Sequence, residues 1–180
     1  MSGHSHWAGI KHKKEITDHK KGKIFSKILS AISSAARPEP NPDFNPRLRT
    51  MISKAKELAV PQDNIERAIL KAKESSENLE DLIFEAYGPG GVAILIHAIS
   101  DNRNRTVQEI KLILKEHNGK WAETGSVQWA FEPKKDSFFE WEANFQLEIS
   151  EEDKNKLADL VEALEENDSI QNVFVNTNYE

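Results

Sequence analysis

The sequence predicts an α+β protein: an N-terminal three-helix bundle followed by an antiparallel α/β sandwich-like domain in the order ββαβ…βαβ. Three observations carry this expectation. Between residues 18 and 76, apolar residues recur at three- and four-residue steps, in segments separated by prolines. After ESSENLED (74–81) the period changes and strand-sized apolar runs begin. Two further helical stretches then alternate with short runs of strand-forming residues, an order that suits an antiparallel sheet with helices on one face.

Residues 1–17 keep no sustained period and read as a basic, extended arm. A first helix begins near Asp18, where Ile24, Phe25, Ile28, Leu29 and Ile32 make an apolar stripe, and it ends in SSAAR before Pro38. PEPNPDFNP (38–46) cannot be helical, because its prolines remove backbone donors and fix φ. Asn45 and Pro46 then read as N-cap and first helical position of a second helix, with Leu48, Ile52, Ala55 and Ala59 on one face. Pro61 opens a third helix, with Ile65, Ala68, Ile69 and Ala72 inward. Three short helices whose stripes need one another define a domain over 18–76.

The second domain is expected over 77–180. DLIFEAYGPGGVAILIHAIS (81–100) is two strand-like runs joined by a glycine- and proline-rich turn, a hairpin signal. In TVQEIKLILKEHNG (106–119), Thr106 and Glu109 read as a capping box, Val107, Ile110 and Leu114 as the stripe, and Gly119 as the stop. SVQWAFEP, DSFFEWE and NFQLEIS read as three strands. Ser150 caps a helix running to about Glu166, with Leu157, Leu160, Val161 and Leu164 inward, and IQNVFVN closes the sheet.

Composition narrows the function. The chain has 38% hydrophobic and 30% charged residues, an ordinary balance for a protein with a real core. It has no cysteine, which excludes disulfides and thiolate chemistry. The longest apolar run, VAILIHAI, is strand-sized and far short of the roughly 18 residues a membrane helix needs. The basic N-terminus lacks the apolar segment of a secretory signal. A cytoplasmic protein with no membrane partner is expected.

The net charge of −6 hides a division. Residues 1–75 hold 15 Lys+Arg and 8 Asp+Glu, whereas residues 76–180 hold 9 and 22. The balances are therefore +7 and −13. HSHWAGIKHKK (4–14) packs three histidines, three lysines and a tryptophan into eleven positions. A basic head on an acidic body is the pattern of a polyanion-binding module, against which stands the plainer reading of a solvated charged face.

Two metal readings of the head are weak. His4, His6, His12 and His19 follow none of the recurring zinc spacings. Ser-Gly-His behind a removed Met1 would offer His4 to Cu(II) or Ni(II), but that motif is common by chance. Beside lysines, the histidines fit better as donors to phosphates, with Trp7 as a stacking surface. No nucleophile elbow, Walker loop or zinc-protease motif occurs, so no enzyme, cofactor or small-molecule substrate is expected. GPGG reads as a tight turn, and EEDKNK and EALEEND as solvated helix faces. SDNRNRT supports two readings: Arg103 and Arg105 before a helix N-terminus suit an anion, or Asp101 and the asparagines simply shape a turn.

Several segments carry a family resemblance. GHSHWAGIKHKK (3–14) resembles GHSKWANIKHRK, GKIFSKI resembles GKIFTKL, and NPRLRTMISKA resembles NPRLRAAIDKA, all of YebC-type proteins. YGPGGVAILIHAISDNRNRT resembles that family's signature almost letter for letter, and DLVEALEENDSIQNVFVN its C-terminal DALEELDDVQNVYTN. The family includes mitochondrial translational activators. Its members carry a third domain between the GSVQWAF segment and the final strand-helix-strand. Here residues 133–143, PKKDSFFEWEA, fill that gap, which implies a two-domain version.

The resemblance implies non-enzymatic control of gene expression, either by DNA-binding transcriptional regulation or by a ribosome-associated role in translation. Charge favours the second. No recognition helix stands out, and a −13 body is repelled by long duplexes. A basic arm with Trp7, His6 and His12 suits rRNA or tRNA with irregular phosphates and open bases. Lys11, His12, Lys13, Lys14, Lys20, Lys21, Lys23 and Lys27 are the candidate phosphate contacts, with Trp7 stacking. Arg103 and Arg105 are further candidates, expected at a cleft between the domains. DNA remains the alternative partner, and a protein-interaction module in which the acidic body docks a basic partner is a third reading.

Overall fold

The computed structural model describes residues 18–74, 78–135 and 137–179. They divide into two compact units, one holding 18–81 with 99–101, the other 82–98 with 102–179.

The helical unit contains α1 (Asp18–Ala36), α2 (Pro46–Glu57) and α3 (Gln62–Glu74). Ile24, Ile28, Ala31, Ile32 and Ala35 bury one stripe of α1 against α2 and α3. The small residues in the stripe let helices approach closely. Asn45 holds the entry to α2 as its N-cap, with Pro46 as the first helical residue. Its Oδ1 accepts from the Leu48 amide at 3.0 Å, while Nδ2 donates to the carbonyls of Ala35 and Glu39, both at 2.7 Å. One side chain thus ties the end of α1, the proline-rich turn and the start of α2 together.

The inward face of α2 differs from expectation. Leu48, Met51 and Ala55 are buried, Ile52 is half-buried, and Ala59 is exposed beyond the helix end. Ala59 has φ 59°, the left-handed conformation that ends α2 before Val60 turns inward. On α3, Ile65 and Ala68 are buried, whereas Ile69 and Ala72 are half-buried.

The second unit is built on a four-stranded sheet in the order β3-β1-β2-β6, made of β1 (Glu80–Tyr87), β2 (Ala93–Ser100), β3 (Lys120–Ala122) and β6 (Ile170–Val175). β3 lies antiparallel to β1, and β6 antiparallel to β2. Leu82, Phe84, Ala86, Ile94, Ile96 and Ala98 face α4 (Arg103–Glu116) and α5 (Glu151–Glu165). Alternate residues Ala93, Leu95 and Phe174 face the other way, onto a small hairpin of β4 (Phe131–Pro133) and β5 (Trp141–Ala143). Because both faces of the sheet are covered, β2 is buried along its whole length. That explains the unbroken apolar run VAILIHAI, where a one-sided sheet would alternate.

Residues 88–92 make the turn between β1 and β2, with Gly90 at φ +71° and the Gly88 amide donating to the Val92 carbonyl at 2.8 Å. A strand follows this glycine-rich segment, so it is a tight turn rather than a phosphate loop.

Four expectations in this unit need correction. α4 begins at Arg103 with Asn102 as its N-cap, and Thr106 lies inside it, buried, with its hydroxyl bonded to the Asn102 carbonyl. Asparagine is the stronger cap, and its use lengthens the helix by one turn. SVQWAFEP is a strand only over Phe131–Pro133, because Gln128–Ala130 form a 3₁₀ turn. DSFFEWE contributes only Trp141–Ala143, and the stretch 144–149 is not a strand. Lys120–Ala122 forms an edge strand that the sequence pattern did not indicate. α5 and β6 stand where expected, with Ser150 capping the Asp153 amide.

Candidate nucleic-acid interface

Trp7, Lys11, His12, Lys13 and Lys14 lie outside the described residues. The remaining cations of the head are distributed over the three helices. On α1, Lys20 and Lys21 are exposed and Lys23 is half-buried. Lys27 is only 3% exposed, which removes it from the surface set assigned to phosphates. Helical spacing explains this: Lys27 is three residues after Ile24 and four before Ala31, on the buried stripe.

Arg47, near the start of α2, is bound internally. Its Nη2 donates to both oxygens of Asp81 at 2.8 and 2.7 Å, and the Ser34 hydroxyl donates to the same carboxylate. Arg49 is exposed and bonds the carbonyls of Pro42 and Asp43. Arg67 is exposed on α3, its Nη2 donating to the Asn64 side chain at 2.6 Å and its Nε to the Asp63 carbonyl at 3.2 Å. The acceptors of Arg49 and Arg67 are neutral, so they orient the guanidinium groups without cancelling their charge. A groove of about 460 Å³ runs between α1 and α3, with Arg37, Arg67 and Lys71 among its lining residues.

Arg103 and Arg105 occupy the first turn of α4 rather than the loop before it, and both are exposed. The Arg103 guanidinium carbon lies 5.6 Å from the centre of the Phe84 ring, within cation–π range. Arg105 sits 3.8 Å from Glu109 one turn on, whose other oxygen accepts from Asn167 at 2.9 Å. Asn102 shapes the turn by accepting from the Arg105 amide at 3.0 Å.

Sequence reasoning missed an aromatic pair on the sheet unit. Trp129 is 66% exposed and Phe145 42%, and their rings stack with centroids 5.6 Å apart. A carboxylate fixes the segment that precedes Trp129: Glu85, buried in β1, accepts from the amides of Gly125, Val127 and Gln128 at 2.5, 2.6 and 3.0 Å. This cradle holds 125–128, the approach to the 3₁₀ turn Gln128–Ala130 that carries Trp129. The acidic Glu85 at the centre of an apolar strand, DLIFEAY, was the available signal. No group of three metal-binding side chains occurs among the described residues, and none of their helices is long and apolar enough to cross a membrane.

A basic three-helix unit joined to an acidic sheet unit defines a class of two-unit α+β proteins. Residues 5–75 match the TACO1/YebC protein N-terminal domain, and residues 79–138 the TACO1/YebC second and third domain. A probable transcriptional regulatory protein of Desulfosudis oleivorans is 50% identical over 137 residues, 74% of this chain and 56% of that protein. One from Dictyoglomus thermophilum is 45% identical over 166 residues, 91% of this chain and 64% of that protein. The crystal structure of a conserved hypothetical protein, Aq1575 from Aquifex aeolicus, superimposes with a TM-score of 0.85 at 34% identity, covering 97% of each chain. The chain belongs to the TACO1/YebC family. By sequence it spans little more than half the length of the curated relatives it matches.

Proposed function

We propose that this protein is a non-enzymatic, nucleic-acid-binding regulator of gene expression that acts on ribosomal or transfer RNA at the ribosome. The observation that carries this reading is the charge division, +7 over residues 1–75 and −13 over 76–180. Exposed cations recur on all three helices of the head, at Lys20 and Lys21, Arg49, and Arg67. In this reading residues 1–17 are a phosphate-binding arm in which Lys11, His12, Lys13 and Lys14 contact the backbone and Trp7 stacks on a base. The helical domain, 18–76, extends that surface. Arg103 and Arg105 add a second contact from the α+β domain, 77–180, in which the family's usual insertion is reduced to about 133–143. The mechanism needs no cofactor, membrane or small substrate, and its setting is the cytoplasm.

The acidic body limits engagement with long duplexes and leaves looped or single-stranded RNA as the better partner. A second reading, DNA-binding transcriptional regulation, is favoured by the relatives, which are described as probable transcriptional regulatory proteins. Sucrose-gradient fractionation of native lysate at two salt concentrations separates them. Salt-sensitive comigration with ribosomes, lost on deleting residues 1–17, is the expected result. Protein at the top of the gradient together with nuclease-sensitive binding to chromosomal DNA overturns it in favour of the second reading.

A further inference from the structure

We infer that the groove between α1 and α3 is a second, arm-independent binding site for the phosphodiester backbone of a single nucleic-acid strand. The inference rests on the nucleic-acid reading above and locates a site within it. The groove encloses about 460 Å³, and its described lining brings together Arg37, Arg67 and Lys71 with no carboxylate. These three cations are exposed; Arg67 and Lys71 stand on α3, and Arg37 follows the end of α1 across the groove.

Arg67 supplies the clearest reason to expect an anion. Among the described residues it donates to the Asn64 amide oxygen and the Asp63 carbonyl, neutral acceptors that hold the fork in place without cancelling its charge. The plainer alternative for Lys71 is that it complements the negative end of the α3 dipole, since it stands in the last turn with Lys73. The same holds for Arg37, which follows the last residue of α1, but not for Arg67, which sits in the middle of α3. Ser26 and Ser30 add hydroxyl donors on the α1 side, and Leu29 and Ala68 supply an apolar floor. Cations with polar donors over an apolar floor suit a sugar–phosphate chain, whose riboses offer apolar faces between charges. A duplex is convex and rigid and meets only the rim of a groove this size, whereas a single strand can enter it.

The test is fluorescence anisotropy of a fluorescein-labelled, unstructured 20-nucleotide RNA over a salt series. It compares the intact chain, the groove variant R67Q/K71Q, the charge-preserving R67K/K71R, and the arm variant K11A/K13A/K14A. Removing two phosphate contacts lowers the slope of log K against log salt by about 1.4 and weakens binding roughly 10- to 60-fold at 50 mM salt. R67K/K71R keeps most of the affinity, and all variants keep the far-UV circular dichroism of the intact chain. Arm-variant loss with R67Q/K71Q unchanged overturns the groove while leaving the nucleic-acid reading intact. No binding by the intact chain to this RNA or to ribosomes overturns both. If 1 mM AMP displaces the RNA from the intact chain but not from R67Q/K71Q, the groove is a mononucleotide site and the strand assignment fails.

Discussion

Glu85 is a charged residue in the middle of a sheet, and three amides account for it. Each bond to the buried carboxylate is charge-assisted, and removing the acceptor strands buried donors at a cost of about 1–3 kcal/mol apiece. Glu85→Ala is therefore expected to destabilise the chain by about 3 kcal/mol in total, lowering the melting temperature by roughly 6–12 °C. Differential scanning calorimetry measures this, and a shift within 1 °C of the unchanged chain would contradict the cradle. Lys27 and Arg67 make the complementary point about positive charge. Both are cations on helices of the basic head, yet one lies on the buried stripe and the other projects into a groove. Charge counting treats them alike, and only position on the helix separates them.

Among elements, helix boundaries are set by caps more than by apolar periodicity. Asn45 combines a cap with two bonds that anchor the preceding turn. Asn45→Ala is expected to cost about 2 kcal/mol, more than an isolated cap, because two buried carbonyls lose their donor as well. Urea denaturation followed by helical circular dichroism reads this directly, and a loss below 0.5 kcal/mol would mean that the turn holds without it. The same chemistry explains the displaced start of α4. Asn102 and Thr106 are both capping types, and Asn102 wins because capping there gives the helix another turn and lets Thr106 bond back to the Asn102 carbonyl while buried. The short strands were harder to locate for a related reason. A three-residue strand holds too little pattern to stand out, and β3, β4 and β5 are each three residues long.

For the whole molecule, the dominant feature is the separation of charge between head and body. The arm lysines are the testable part of that separation. Replacing Lys11, Lys13 and Lys14 with alanine should weaken RNA binding for all sequences alike and reduce the salt slope by about 2, at roughly 0.7 per phosphate contact. Anisotropy titrations against two unrelated RNA sequences provide the measurement. An unchanged slope would show that the arm makes no phosphate contacts, and a change confined to one sequence would show base recognition instead. Salt screens the arm's attraction and the body's repulsion alike, with a Debye length of about 10 Å at 0.1 M, so the body's repulsion offsets part of the arm's salt dependence.

The sequence by itself determined the α+β class, the three helices of the head with Asn45 as a cap, the central hairpin, the closing helix and strand, and the family. These are local properties: period, capping chemistry and turn residues act within a few positions of one another, and the family motifs are long and unbroken. Tertiary structure alone decided that Arg47 is held by Asp81, that the sheet is covered on both faces, and that Arg37, Arg67 and Lys71 share a groove. Each of those depends on which distant segments meet, 34 positions apart for Arg47 and Asp81. No periodicity along the chain encodes the partner across a groove or over a sheet, because that pairing is fixed by packing between elements.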